Sequence, residues 1–565
     1  MGYLKTRLTR RERALWLALV LALALVPVVA IGLPKGSTPS LQADLILYNG
    51  KITVLGGEPT TVQAIAIRGG DVLALGASGQ LLNKYAGPTT ERVDLHGRRV
   101  LPGLIDAHLH GLRNGYHCFT QTVRLDLVTS RTQALADYTA KAQALSDDTW
   151  VWTTSGGWHV NQLDVPGMFT IAELDAAVPD NPLWVQASGF NGTQVNSKAL
   201  EVLGLSAGDT GVEVDPGTGL PTGRLTAPAN GAANAAVLAQ LDARTIEQQA
   251  ECLSDFIETS NGLGLTAWND PDGNTFPWVV GGGEFSQGLH GHQPVIQLHR
   301  SGELDARVTF HLSANYAGLE QALADTRNAM GFVGDDMLRY MGVGEEVYPG
   351  AYVDYEVLTT HLAANRLSFE HHTTDTSIDE QLAGFEAANE VYPIADLVWS
   401  LAHPGNGLPT DEQIARSIAL GVGWSATIAP IKNGATGPRF RTLMESGARM
   451  CIITDAMNVA PWAPFQKLWY VISGDTLLPG VSGVPEDQQL TRTEALRHST
   501  EECAWFLDQE GRLGTLEVGT HADLIVLTDD YFTVPEEDIK DLESVLTVVD
   551  GRVVYADGPY ASLED

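Results

Sequence analysis

The sequence predicts an α/β fold: a (β/α)8 barrel of the TIM type with a small β-sandwich built from both chain ends. Three observations predict it. Between residues 100 and 510, short apolar runs alternate with helical stretches. Several of those runs stop at a histidine or an acidic residue, as strands do at the working end of such a barrel. Both chain ends instead carry short alternating strands with hairpin turns.

In chain order, the first unit is residues 1–33. Lys5, Arg7, Arg10, Arg11 and Arg13 precede an apolar run over 14–33. This is the pattern of a signal peptide or a membrane anchor. The run is about long enough to cross a bilayer, for which ~20 residues suffice. Pro27 and the small residue Ala30 late in the run suit a cleavage point, so both readings stay open. Either way the basic residues stay in the cytoplasm and the body is exported. It is expected to be periplasmic or extracellular, or held at the membrane by that segment.

After a Gly/Pro/Ser linker over 32–39, residues 43–99 read as the first part of the sandwich. Asp44 to Val54 is strand, turn, strand about Asn49-Gly50. Strands over 64–68 and 71–75 continue it. The second part, 511–560, has a strand over 522–527 and a hairpin about Asp550-Gly551. The barrel is expected over 100–510. Its helices are expected over 131–145, 246–260 and 377–389, and its strands over 183–187, 367–371, 397–403 and 450–454. A bare barrel needs ~250 residues. The surplus is assigned to an insertion at about 150–240, rich in Trp, Gly and Pro, read as a lid or substrate-pocket segment. A doubly wound sheet is disfavoured because no Gly-rich phosphate loop follows the first strand.

The bulk numbers narrow the function. The chain has 565 residues and a net charge of −34. That charge disfavours nucleic acid and anionic lipid as partners and reads as a solvated acidic surface. Cys118, Cys252, Cys451 and Cys503 show no Cys-x-x-Cys spacing, so no zinc knuckle is indicated and their pairing stays open.

The run from Val100 ends in His108 and His110. In a strand, residues i and i+2 point to one face, so two imidazoles aim at one point, which suits a divalent metal. Four further runs stop at metal-binding residue types: Glu345-Glu346, His371, His403 and Asp455. One such ending is ordinary. Five in order along a β–α chain are not. Other candidates weigh less. His290-Gly-His292 reads as a loop feature, and His372, facing away from His371 on a strand, as structural. Asp270 is a supporting or capping acid. His96, His117, Cys118, His311, His361, His498 and His521 receive no role. Trp158 and His159, in the insertion, are candidate pocket residues.

These motifs resemble the amidohydrolase superfamily, in the branch that includes N-substituted formamide deformylases. The resemblance rests on residues 101–110, on Pro221-Thr-Gly-Arg-Leu225 and Val195-Asn-Ser197, and on 513–526. It implies a hydrolase acting on carbon–nitrogen bonds other than peptide bonds, of amide or formamide type, through a metal-activated hydroxide. The implied cofactor is a pair of divalent metals, zinc first, with manganese or iron as alternatives. His108, His110 and Asp455 would hold one ion; His371 and His403 the other. Many members bridge the two with a carboxylated lysine. Here Glu345 stands in that place, with Glu346 as the alternative, because strand alternation lets only one face inward. Asp455 would also be the catalytic proton shuttle. Asn191, in Ser188-Gly-Phe-Asn-Gly192, roughly replaces a histidine of relatives and joins Trp158 and His159 as a substrate-binding candidate. A deaminase of a ring or nucleobase-like compound is the alternative in the same fold, and a non-catalytic exported binding protein the alternative in another class. A small molecule is the expected substrate, no nucleic acid is expected, and a homodimer stays open.

Overall fold

The apolar run that ends in the two histidines forms two strands, not one. In the computed structural model, Arg99–Pro102 pairs with Lys51–Val54 on one side and Leu524–Leu527 on the other. It belongs to the β-domain, which therefore extends past residue 99. Leu104–Asp106 is the first barrel strand. Gly103 makes the switch. A Cβ there would lie 2.1 Å from Thr266 Oγ1 on the second barrel strand, so only glycine lets the chain cross so close. The structure describes residues 42–563 apart from 117–121, 154–157, 188–192, 243, 272–291, 313–318, 328, 346–353, 374–377, 405–408, 429–438, 457–459 and 479.

The β-domain has two sheets. One runs Asp71–Gly76, Ala64–Arg68, Leu45–Tyr48, Glu91–Asp94; the other runs Arg552–Ala556, Ser544–Val549, Leu524–Leu527, Arg99–Pro102, Lys51–Val54, Thr60–Val62. Alternation puts Leu45, Leu47, Ile65 and Ile67 of the first against Ile52, Leu524, Val526 and Val548 of the second. Both chain ends thus close one sandwich. Arg307, on the third barrel strand and 1% exposed, fastens it to the barrel. Its guanidinium donates to Asp523 at 2.7 and 3.0 Å and to Asp550 at 3.2 Å.

The barrel strands are Leu104–Asp106, Leu265–Asp270, Arg307–Leu312, Leu338–Val343, Ser368–His372, Ser400–Ala402, Gly423–Thr427 and Met450–Ile453. Each pairs in parallel with the next. Among the described residues, no ladder joins the eighth strand to the first. The gap is filled differently. Ile105 N donates to Ser499 O and Ile452 N to His498 O, both at 2.8 Å. The buried ammonium of Lys467 donates to Ile105 O at 2.6 Å and to Ile452 O at 2.9 Å. A Cys451–Cys503 disulfide pins the eighth strand to the same segment. Helices Ile246–Gly262 and Ile378–Val391 pack outside, at the places the apolar spacing predicts.

The insertion is larger than expected. It has its own six-stranded sheet, running Val212–Val214, Pro221–Leu225, Thr193–Val195, Leu183–Gln186, Val151–Thr153, Thr122–Val123. It begins near Thr122 rather than residue 150. Strand Leu183–Gln186 and helix Arg131–Gln143, expected in the barrel, belong to it: the strand pairs only within this sheet, and Ala134 and Tyr138 of the helix share its core. No helix among the described residues is long and apolar enough to cross a membrane. The segment 1–33, His117 and Cys118 lie outside the described residues.

Candidate metal centre

The ligand-type residues gather at the C-terminal ends of the strands, held by backbone bonds that continue the ladder past the strand ends. Gly344 N donates to Leu312 O, Glu345 N to Pro271 O, His372 N to Glu345 O and His403 N to Ser425 O. Asp455 N donates to His108 O and His110 N to Ala456 O. A Cβ on Gly344 would meet Pro271 O at 1.7 Å, so glycine is required where the chain turns Glu345 inward. His403 and Asp455 have φ of 35° and 52°. Such strained conformations in non-glycine residues concentrate at functional sites.

The side chains converge on one carboxylate. Glu345 Oε1 lies 2.6 Å from His372 Nδ1 and 2.6 Å from His403 Nε2. Glu345 Oε2 lies 3.5 Å from both His108 Nε2 and His110 Nε2. Asp455 Oδ1 completes the second group, 3.6 Å from His108 Nε2 and 3.2 Å from His110 Nε2. Among the described residues, two ligand triads have all donor atoms within 4.8 Å of one another: His108, His110, Asp455 and His108, Glu345, His403. His108 Nε2 is buried without a hydrogen-bond partner although two carboxylates face it. That unpartnered nitrogen, facing two carboxylates, fits a cation held between imidazole and carboxylate.

Residues 91–555 match the amidohydrolase family. The chain belongs to the amidohydrolase family. The N-substituted formamide deformylase of Arthrobacter pascens is 22% identical over 550 residues, 91% of this chain and 98% of that protein. The Bacillus subtilis protein YtcJ is 31% identical over 186 residues, which cover 32% of this chain and 34% of that protein, about a third of its length. The crystal structure of a metal-dependent hydrolase from Pyrococcus horikoshii shares the fold, with a TM-score of 0.60 and 20% identity over 87% of this chain and 99% of that one.

This amidohydrolase corrects one expected ligand. His371 does not face the centre. It is buried against the rings of Tyr355 and Phe369, each 5.1 Å away, in the layer between barrel and helices. His372 faces Glu345 at the centre instead. The cause is strand alternation: Glu370 points into the barrel, so His372 does too and His371 cannot. Glu370 Oε1 faces His108 Nδ1 at 3.1 Å, a contact sequence reasoning missed.

One of the three substrate-binding candidates is also relocated. Trp158 is fully buried in the core of the insertion, its Nε1 donating to Gln186 O at 2.8 Å, so it fills that core rather than walling a pocket. His159 stabilises a turn, its Nδ1 accepting from Asn161 N at 3.0 Å. Asn191, Glu346 and His290 lie outside the described residues. His292 stacks on Phe310 at 4.7 Å. Asp270 caps the start of helix Gly111–Tyr116 through Leu112 N at 2.7 Å. His311 is buried in the barrel interior between Asn269 and Ser368, and burial lowers its pKa to about 4.

The electrostatics favour a cation. Burial would raise Glu345, but His108, His372 and His403 hold it well below the carboxylate range. Asp455 is likewise driven up by burial and further down by His108 and His110. Burial would lower His108; the carboxylates of Glu370 and Glu345 reverse this and raise it well above the usual range. His403, by contrast, is lowered by burial and by His372. Two ionised carboxylates among imidazoles draw positive charge into the cluster, which a divalent cation supplies.

Proposed function

We propose that this chain is an exported amidohydrolase that cleaves the C–N bond of a formamide-type or related N-substituted amide. Its centre would hold two divalent cations through His108, His110, Asp455 and through His372, His403, with Glu345 shared. The observation that carries this reading is the division of Glu345: one oxygen to each histidine pair. A carboxylate supplies that bridge directly, where many family members modify a lysine. Imidazole and carboxylate donors suit zinc, and manganese or iron less well.

When bound, such cations supply a water whose pKa falls toward ~7 and polarise the scissile carbonyl. The chain does the rest. Asp455 keeps 12% of its side chain exposed against 7% for Glu345, so Asp455 is the more open of the two acids. It accepts the proton of the attacking water and passes it to the leaving nitrogen. An amine leaves poorly until protonated, so this transfer is required for C–N cleavage. His372, 42% exposed, stands on the opposite side of Glu345.

The formamide class is supported by the alignment to the Arthrobacter protein over nearly its whole length. Export is supported by the basic-then-apolar segment 1–33 and by the Cys451–Cys503 disulfide, a bond that persists in oxidising compartments. The test is amine release from N-formyl and N-acyl amines by metal-loaded protein. Turnover should vanish with a chelator. Asp455→Asn at matched metal content should lower kcat by about 100-fold or more. Fully loaded protein that releases no amine from any of these substrates would overturn the reading.

A further inference from the structure

We propose that Glu370 is a positioning residue that holds His108 with its Nε2 lone pair aimed into the metal centre. The proposal rests on the metal-centre reading above. Glu370 is 1% exposed on the fifth barrel strand, and neither oxygen is free for a cation. Oε1 accepts from Ser425 Oγ at 2.7 Å and faces His108 Nδ1 at 3.1 Å. Oε2 accepts from Asn269 Nδ2 at 2.7 Å.

An ionised carboxylate can only accept, so His108 Nδ1 must carry the hydrogen. In the neutral ring that leaves Nε2 as the lone pair. Nε2 is the atom that faces Glu345 and Asp455. The same rule propagates inward. Asn269 must turn its amide nitrogen to Glu370, and that nitrogen also donates to Ala107 O at 3.2 Å. Its oxygen therefore accepts from Thr309 Oγ1 and from His311 Nδ1, both at 3.0 Å. His311 Nε2 faces Ser368 Oγ at 3.0 Å, and that hydroxyl donates to Val398 O at 2.9 Å. One buried carboxylate thus orients an amide and fixes the tautomer of His108. Where a barrel ordinarily packs branched aliphatic side chains, this one carries a polar layer beneath the centre. Glu370 and His372 share a strand face, so one strand supports the ligand of one cation and supplies a ligand to the other.

A carboxylate behind a ligating imidazole fixes its orientation and raises its basicity, and removing such a partner typically costs 10–100-fold in metal affinity. The test is Zn2+ affinity by chelator competition, with the Co2+ absorption spectrum as a second readout, on the full chain. Glu370→Gln should weaken metal binding by about 10–100-fold and shift the Co2+ bands. If Glu370→Gln folds poorly, the swap Asn269→Asp with Glu370→Gln restores one donor and one acceptor between the two positions. It also leaves an amide against His108. The swap should recover stability, apart from the Asn269 bond to Ala107 O, and still bind metal weakly. Parent-like affinity in Glu370→Gln, or full recovery of affinity in the swap, would overturn the proposal. A parent chain that binds no divalent metal would overturn the metal-centre reading and this proposal with it.

Discussion

The backbone amide of Asp455 donates to the carbonyl of His108 at 3.1 Å, between the first and eighth barrel strands, which share no ladder among the described residues. The ligands of one proposed cation therefore come from both sides of an open seam. What holds the seam sets their separation.

Lys467 is the plug. Its ammonium serves two carbonyls, Ile105 O and Ile452 O, and lies 3.9 Å from Asp106. Lys467→Met removes both donors and leaves the carbonyls unsatisfied, at about 1–3 kcal/mol each. The variant should lose about 2–6 kcal/mol of stability in urea titration. Its metal affinity should fall as well, since the strands on either side carry His108, His110 and Asp455. Undiminished affinity would separate the seam from the centre.

The two adjacent histidines should behave oppositely. His372→Ala removes a donor to Glu345, so elemental analysis should find about one metal ion fewer per chain and activity should fall at least about tenfold. His371→Ala opens space beside Tyr355 and Phe369 and should lower the melting temperature while metal content holds. Metal loss in His371→Ala with none in His372→Ala would reverse the assignment.

The Cys451–Cys503 bridge spans 52 residues of sequence. A loop of that size constrains the unfolded chain by about 4 kcal/mol in the entropy model. Paired serine substitutions should destabilise the protein by up to that amount. A melting temperature unchanged by them would show that the bridge does not form.

Acid should weaken the β-domain. Asp530 is 8% exposed; burial would raise it, but Arg99 and Lys51 hold it at about 2, below its ordinary 3.8. The folded pKa is the lower one. The stabilisation is therefore present above pH 3.8 and is lost as pH falls toward 2, about 2 kcal/mol in all. Asp530→Asn should lower the melting temperature at neutral pH and flatten its fall between pH 4 and 2. A fall of the same slope in the variant would assign it to other groups.

Much of this was legible in the sequence. His108, His110, Glu345, His403 and Asp455 each follow an apolar run, and the barrel brings those run ends together. The pair His371-His372 was not settled, because two consecutive histidines leave the inward phase of a strand undefined. Glu370 carried the missing signal. An acid inside an apolar strand needs buried partners, which only the barrel interior offers, so 370 and 372 share that face. Trp158 misled for a related reason. A tryptophan-rich insertion suggests a pocket wall, but an insertion with its own sheet needs its own core. Its start was hidden because a helix such as Arg131–Gln143 has the same apolar spacing wherever it packs.

The wide spacing of the centre along the chain has a consequence for its birth. The ribosome makes His108 early and Asp455 late, and the seam closes only with Lys467, His498 and Ser499. The β-domain waits longer still, for strands Leu524–Leu527 and Ser544–Val549. A nascent chain therefore offers metal at most scattered histidines. The cluster comes into being after synthesis is nearly finished, and any metal it holds would be drawn from the compartment in which the chain folds.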